Sequence, residues 1–244
     1  MRAPAAFAVY YGWPGEVNGS GGDVAAAIEA FAGYREVVLG EGNVLPGADP
    51  SAAAVIAGLV RRRTFVFGYV DLGVTNGTRN WAADRLEELT QTWCALGAGG
   101  LFLDCAGRDY GVSARRLAYA VRLSRERRLR VLVNAWRPEE VLEPPTPLRR
   151  GDGYLAENAV MKEGRFVDEA RFGAKLARLE SYRAELGVRL YTTATTGQGP
   201  VPPGLVAELV RRCGRYRLDA LAVSDTLYGS RDDGLLPARA LGFG

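Results

Sequence analysis

Short apolar runs recur along this chain at spacings of roughly 25–35 residues, the length of a strand plus a returning helix. They are Ala6–Tyr11, Glu36–Leu39, Thr64–Val70, Gly100–Asp104, Arg130–Val133, Gly153–Ala156, Val188–Thr192 and Leu218–Val223. Helix-forming stretches fill the gaps. Asp23 opens one that runs to Tyr34, and Asp49-Pro50 opens one that runs to Arg63. Further helices are predicted over Asn80–Leu96, from Ser113 to Arg128, over Asp168–Leu186 and over Pro203–Tyr216. Prolines at 138, 144, 145 and 147 leave room only for a short helix at Glu139–Leu142, and a closing helix fits Pro237–Leu241. Eight alternations in 244 residues, with no domain boundary, predict one (β/α)8 barrel over residues 1–244. A doubly wound open sheet is the alternative. It would want a phosphate-binding glycine turn after the first strand, and Tyr11-Gly12-Trp13-Pro14-Gly15 does not supply one.

In a barrel the carboxyl ends of all the strands share one mouth, and catalytic residues gather there. The fourth run, Gly100-Leu101-Phe102-Leu103-Asp104, ends abruptly in a carboxylate. Period-2 alternation points Phe102 and Asp104 one way, and Leu101, Leu103 and Cys105 the other. The other strand ends bring Tyr10, Tyr11 and Trp13, then Glu41, then Tyr69-Val70-Asp71. Asn134 and Trp136, Glu157 and Asn158, Thr192 and Thr193, and Ser224 with Asp225 complete the ring, while Asp109 and Tyr110 follow Asp104. This mouth reads as acidic, aromatic and amide-rich. Aromatic faces beside carboxylates and amides suit sugars, whose apolar faces stack while their hydroxyls are hydrogen-bonded. Tyr10, Tyr11, Trp13 and Trp136 are the candidate platforms. Asp71, Asp109 and Asp225 are candidate partners for cationic groups at the rim.

Absences narrow the chemistry. The chain has no histidine, which removes Ser-His and Cys-His nucleophiles, histidine metal sites and histidine bases. Lys162 and Lys175 are the only lysines and neither ends a predicted strand, so a Schiff-base mechanism is disfavoured. Cys94, Cys105 and Cys213 are scattered without metal spacing and read as reduced thiols uninvolved in chemistry. Neither a metal nor a cofactor is expected. A net charge of +3 is too mild to imply nucleic-acid binding, and no run is long enough to cross a membrane. The apolar stretch from Ala3 to Tyr11 fits a first strand better than a signal peptide. The protein is expected to be cytoplasmic, or exported with its signal removed.

Two carboxylates flanking one bond are the minimum equipment for glycoside hydrolysis. Asp104 and Glu157 end the fourth and sixth strands, with Asn134 on the strand between, able to bond a carboxylate or a sugar hydroxyl. The run Gly68-Tyr69-Val70-Asp71, the run Gly100 to Asp104, Val133-Asn134 and Leu155-Ala156-Glu157-Asn158 occur in the order found in glycoside hydrolase family 114. Over roughly residues 6–230 the chain resembles that group of endo-α-1,4-polygalactosaminidases and spherulin-like relatives. The resemblance implies a (β/α)8 barrel and endo-action on an α-1,4-linked galactosamine-containing polysaccharide. It also implies a retaining mechanism with Asp104 as nucleophile and Glu157 as acid/base, and an exported or cell-surface enzyme. Family members often read Asn-Pro-Gly where this chain has Asn134-Ala135-Trp136. Two other classes remain open to the residues alone. A non-catalytic carbohydrate-binding barrel would keep the aromatics and amides. A small-molecule acid/base isomerase or lyase would want a closed phosphate pocket, for which only the run from Thr192 to Gly197 offers material.

Overall fold

Nine strands and seven α-helices follow one another in a computed structural model that describes residues 3–75, 77–197, 201–202, 204–224 and 234–238. In chain order the first half is β1 (Ala5–Tyr10), α1 (Val24–Ala30), β2 (Glu36–Leu39), α2 (Ala52–Arg61), β3 (Phe65–Asp71), α3 (Ala83–Ala95), β4 (Gly100–Asp104) and α4 (Ala114–Glu126). The second half is β5 (Arg130–Asn134), α5 (Glu139–Leu142), β6 (Gly153–Lys162), β7 (Arg165–Phe166), α6 (Glu169–Leu186), β8 (Arg189–Thr195), α7 (Leu205–Arg215) and β9 (Ala220–Ser224). All except β7 pair in parallel, and β9 returns to β1, closing an eight-stranded (β/α)8 barrel. All eight expected strands are present.

Helix starts follow local chemistry. The Asp23 carboxylate accepts from the Ala25 and Ala26 amides, and the Ser113 hydroxyl accepts from the Arg116 amide. Asp49 does something different from the expected cap. Helix α2 begins at Ala52, and Asp49 accepts from Ser51 and from the Gly15 amide, tying the loop after β1 to the start of α2.

The register pairs fix how side chains stack inside. Followed once round the barrel, they return to β1 eight residues further along than they left, a shear of eight. Residues at one height therefore advance by one per strand, and alternate strands supply the four members of each layer. One interior layer is Phe7, Phe67, Leu132 and Tyr191; the next is Val38, Phe102, Leu155 and Ala222, all buried in one cluster. One inward step beyond the second layer lie Gly40, Asp104, Glu157 and Ser224. The floor is closed by Glu36, Arg130 and Arg189 at the first positions of their strands. Glu36 is buried and pairs with both arginines, and Arg130 lies 4.5 Å from the Phe65 ring centre.

Two features depart from the sequence reading, and two further expectations lie wholly or partly beyond the described residues. Tyr10 points outward, where its ring packs edge-on against Phe31 5.5 Å away; it belongs to the helix layer and is no sugar platform. Strand β6 runs six residues past Ala156 and folds back as β7 through Glu163 and Gly164, both at positive φ. The expected closing helix and Asp225 fall wholly or partly outside the described residues.

Gly68 marks a close approach. A Cβ there would sit 2.1 Å from the ring of Trp93, which is fully buried and donates its indole N–H to the Tyr69 carbonyl. Gly68→Ala should therefore destabilise by about 1–3 kcal/mol through overpacking. Thermal unfolding should show a midpoint lowered by roughly 2–12 °C. An unchanged midpoint would mean that Trp93 relaxes freely.

Candidate active site

Asp104 and Glu157 are adjacent members of the same layer, two strands apart, with β5 between them. Backbones two strand spacings apart are separated by about 10 Å, and the two inward-pointing side chains face one mouth across that gap. Each acts electrostatically on the surroundings of the other: the charge of Asp104 raises the pKa of Glu157, and both act on Cys105 and Tyr110.

The two carboxylates are held differently. The Tyr69 hydroxyl donates to Asp104 Oδ2 at 2.8 Å, and the Cys105 amide and thiol also donate to Asp104. Burial raises the Asp104 pKa, these donors oppose it, and the charge of Asp71 adds to the rise. Glu157 reaches solvent through the open cleft, yet protein crowds it on other sides. Its pKa is pushed up to about 7, by burial first and then by Asp104, against the pull of Lys175 and Lys162. The two lysines of the chain thus both act on this one carboxylate.

Backbone geometry sets both groups. Cys105 has φ +50° and Asn158 has φ +47°, so each carboxylate is followed at once by a left-handed residue. This turn breaks the strand alternation. It brings the half-buried Cys105 thiol round to Asp104, where alternation alone had pointed it away from the mouth. After Asn158 the pairing of β6 with β8 shifts register. The displaced amides are satisfied by side chains: Asn158 N–H donates to the Thr193 hydroxyl and Ala159 N–H to the Thr192 hydroxyl.

Several expected contacts therefore have structural duties. Thr193 is 1% exposed and out of reach of a ligand. The Asn158 side-chain oxygen accepts from Thr195. Asp71 is buried, and its oxygens accept from the Gly73 and Arg79 amides, so it does not stand at the rim. Glu41 pairs with Arg79. Of the expected acidic rim, Asp109 remains exposed on the turn after β4.

The remaining residues frame a cleft of about 460 Å³ beside Glu157. Asn134 and Trp136 line it with Tyr110, and Asn134 donates to the Leu155 carbonyl. Trp136 is 69% exposed and Trp13 48%. The half-buried Tyr11 ring packs edge-on to Tyr69 at the mouth. Sequence reasoning placed Tyr69 at the mouth but gave it no role, although it shares the inward parity of Phe67 and so faces Asp104. It also missed Arg137, Lys175 and Arg178, which bring positive charge to a mouth expected to be acidic. Lys175 and Arg178 lie on α6, where strand-end logic does not look.

No protein-family model matches this chain, and no curated protein does. Solved structures share its fold. The octameric ribulose-1,5-bisphosphate carboxylase/oxygenase of Pyrococcus horikoshii matches over 98% of this chain with a TM-score of 0.57 and 14% identity. The carboxyl transferase domain of Rhizobium etli pyruvate carboxylase matches over 100% with a TM-score of 0.58 and 10% identity. This chain spans 57% and 47% of those two chains. A citrate synthase variant matches over 91% of this chain and 87% of its own, with a TM-score of 0.54 and 13% identity. At such identities the likeness establishes the barrel and nothing of the chemistry.

The raised pKa of Glu157 has a stability signature. Its value is about 7 in the folded chain against an ordinary 4.5. Between those values the native state holds more protons than the unfolded chain, so rising pH destabilises the fold across that window. Glu157→Gln removes the effect. The variant should gain stability relative to the parent as pH rises from 4.5 to 7, with no further gain above. Thermal unfolding across that range checks this, and a pH-independent difference would refute it. In Asp104→Asn the Glu157 carboxyl should titrate lower, read by carbon NMR.

Proposed function

We propose that this chain is a retaining glycoside hydrolase with Asp104 as nucleophile and Glu157 as acid/base. The observation that supports it best is the pair itself: two inward carboxylates in one layer, held in different protonation environments. Burial raises the Asp104 pKa, and the hydrogen bond from the Tyr69 hydroxyl is the chief contribution favouring its ionised form. Glu157, at about 7, can carry a proton at neutral pH. In the first step an Asp104 oxygen forms a bond to the anomeric carbon as the glycosidic C–O bond breaks, and Glu157 gives its proton to the departing oxygen. In the second, Glu157 takes a proton from water, whose oxygen attacks the same carbon and releases Asp104. The cleft is open, which accommodates a chain running through it.

The resemblance to glycoside hydrolase family 114 supplies the polymer: an α-1,4-linked galactosamine-containing polysaccharide cut internally. Tyr11, Trp13 and Trp136 are the stacking faces, and Asp109 is the exposed carboxylate nearest the nucleophile strand. Incubation with galactosaminogalactan, chitosan and α-galactans, followed by mass spectrometry of products, tests the activity.

Variants separate the roles. Asp104→Ala should abolish turnover, and azide should partly restore it, giving a glycosyl azide of inverted configuration. Glu157→Gln should lose about 10²–10⁴-fold on natural linkages while sparing glycosyl fluorides, whose leaving group needs no proton. Swapped phenotypes would exchange the roles. Near-parental activity in both would overturn the carboxylate pair as the catalytic groups, and parental protein that binds these polymers without cleaving any would leave a carbohydrate-binding barrel as the reading to pursue.

A further inference from the structure

The charge around the mouth is polarised. On the β3–β4 side, Asp71 is capped by amides and Glu41 is paired with Arg79. Around Glu157 the cleft is lined by three cations, Arg137, Lys175 and Arg178, against Glu139 and Glu157. Arg178 is neutralised by Glu139 at 3.1 Å. Arg137 is exposed and has no protein partner among the described residues. Lys175 is half-buried, and its ammonium makes one long contact, 3.4 Å to the Trp136 carbonyl, with no ion pair among the described residues. Arg137 therefore stands without a carboxylate partner beside an exposed tryptophan, while Lys175 on the other side feels Glu139 and Glu157 at a distance and pairs directly with neither among the described residues. Both cations keep hydrogen-bonding capacity directed at the cleft that a ligand carboxylate could take up.

We propose that the cleft between β5, β6 and α6 is a subsite for an acidic sugar, a pyranose stacked on Trp136 whose carboxylate is met by Arg137 and Lys175. Arginine forks match carboxylates through two parallel hydrogen bonds, and lysine adds a point charge. The placement of this sugar on the leaving-group side of the bond rests on the glycosidase reading, because Glu157 lines the same cleft. The affinity for an acidic sugar does not rest on it. The substrate class that results is a polymer of mixed charge, with amino sugars on the Asp104 side and uronic acids on the Glu157 side.

Calorimetry on the full chain tests this with trimers of galacturonic acid, galactose and galactosamine, and with acetate as a carboxylate lacking a sugar. The galacturonate trimer should bind at least about tenfold tighter than the other three at low salt, with the margin shrinking as ions screen it. Arg137→Ala combined with Lys175→Met, which keeps the lysine's apolar stem, should remove the preference and leave the galactose trimer unaffected. Equal binding of the three trimers, tighter binding of galactosamine, acetate matching the galacturonate trimer, or an unchanged preference in the double variant overturns the proposal. The two readings fail separately. Acid-selective binding with no polymer cleaved sinks the glycosidase and keeps the subsite. Cleavage of polymers with no acidic preference sinks the subsite and keeps the glycosidase.

Discussion

A shear of eight on eight strands governs the rest of this molecule. It forces inward side chains into levels, each drawn from alternate strands, and the levels must be filled because a closed barrel leaves no room for water among them. Aromatic and aliphatic residues fill the lower levels. Above Phe102 and Leu155 comes a level of Val9, Tyr69, Asn134 and Thr193, and the level of Asp104 and Glu157 above that has no layer on top, so polar groups can occupy it with solvent on one side. Asp104 and Glu157 stand together because the same geometry that packs the core sets residues two strands apart at equal height.

Two carboxylates in one level repel, and the fold manages them unequally. Asp104 accepts from the hydroxyl of Tyr69, itself fixed by the Trp93 indole on its carbonyl, and has Cys105 beside it. Glu157 has solvent and two distant lysines instead. Desolvation pushes both pKa values up, the charge of Asp104 adds to the rise at Glu157, and the Tyr69 hydrogen bond opposes the rise at Asp104 alone. Otherwise similar carboxylates thus stand in unlike surroundings because β3, β4, β6 and α6 contribute unlike neighbours.

The barrel and the carboxylate pair were legible because they depend on period and parity, which a linear sequence carries. Parity also explains Tyr10: its neighbours Phe7 and Val9 face inward, so it had to face the helices, and counting it with the mouth ignored that rule. Thr193 has the right parity but lies too deep. Cys105 follows neither, because its backbone leaves the strand conformation at the residue where the side chain matters. Asp71 and Glu41 were expected at the rim, but their loops fold over and claim them. Lys175 and Arg178 could not be read at all, since a helix on the outer layer delivers its side chains to the mouth only through tertiary packing. The β6–β7 hairpin did have a local signal in Glu163-Gly164, a turn pair between two strand-like runs.

The left-handed turn at Cys105 sets two demands against each other at one position. Such a conformation costs an ordinary side chain about 1–2 kcal/mol and glycine almost nothing, with asparagine in between. Backbone energy alone would favour glycine there, and asparagine, the residue at the equivalent left-handed position 158, would be strained less than cysteine. Glycine, however, would take a thiol donor away from Asp104. The tolerance of position 105 to replacement is thus a record of compromise. Replacing Cys105 with glycine or asparagine would ease the backbone at the cost of the thiol beside Asp104, so fold stability and the electrostatics of that carboxylate pull in opposite directions at one residue.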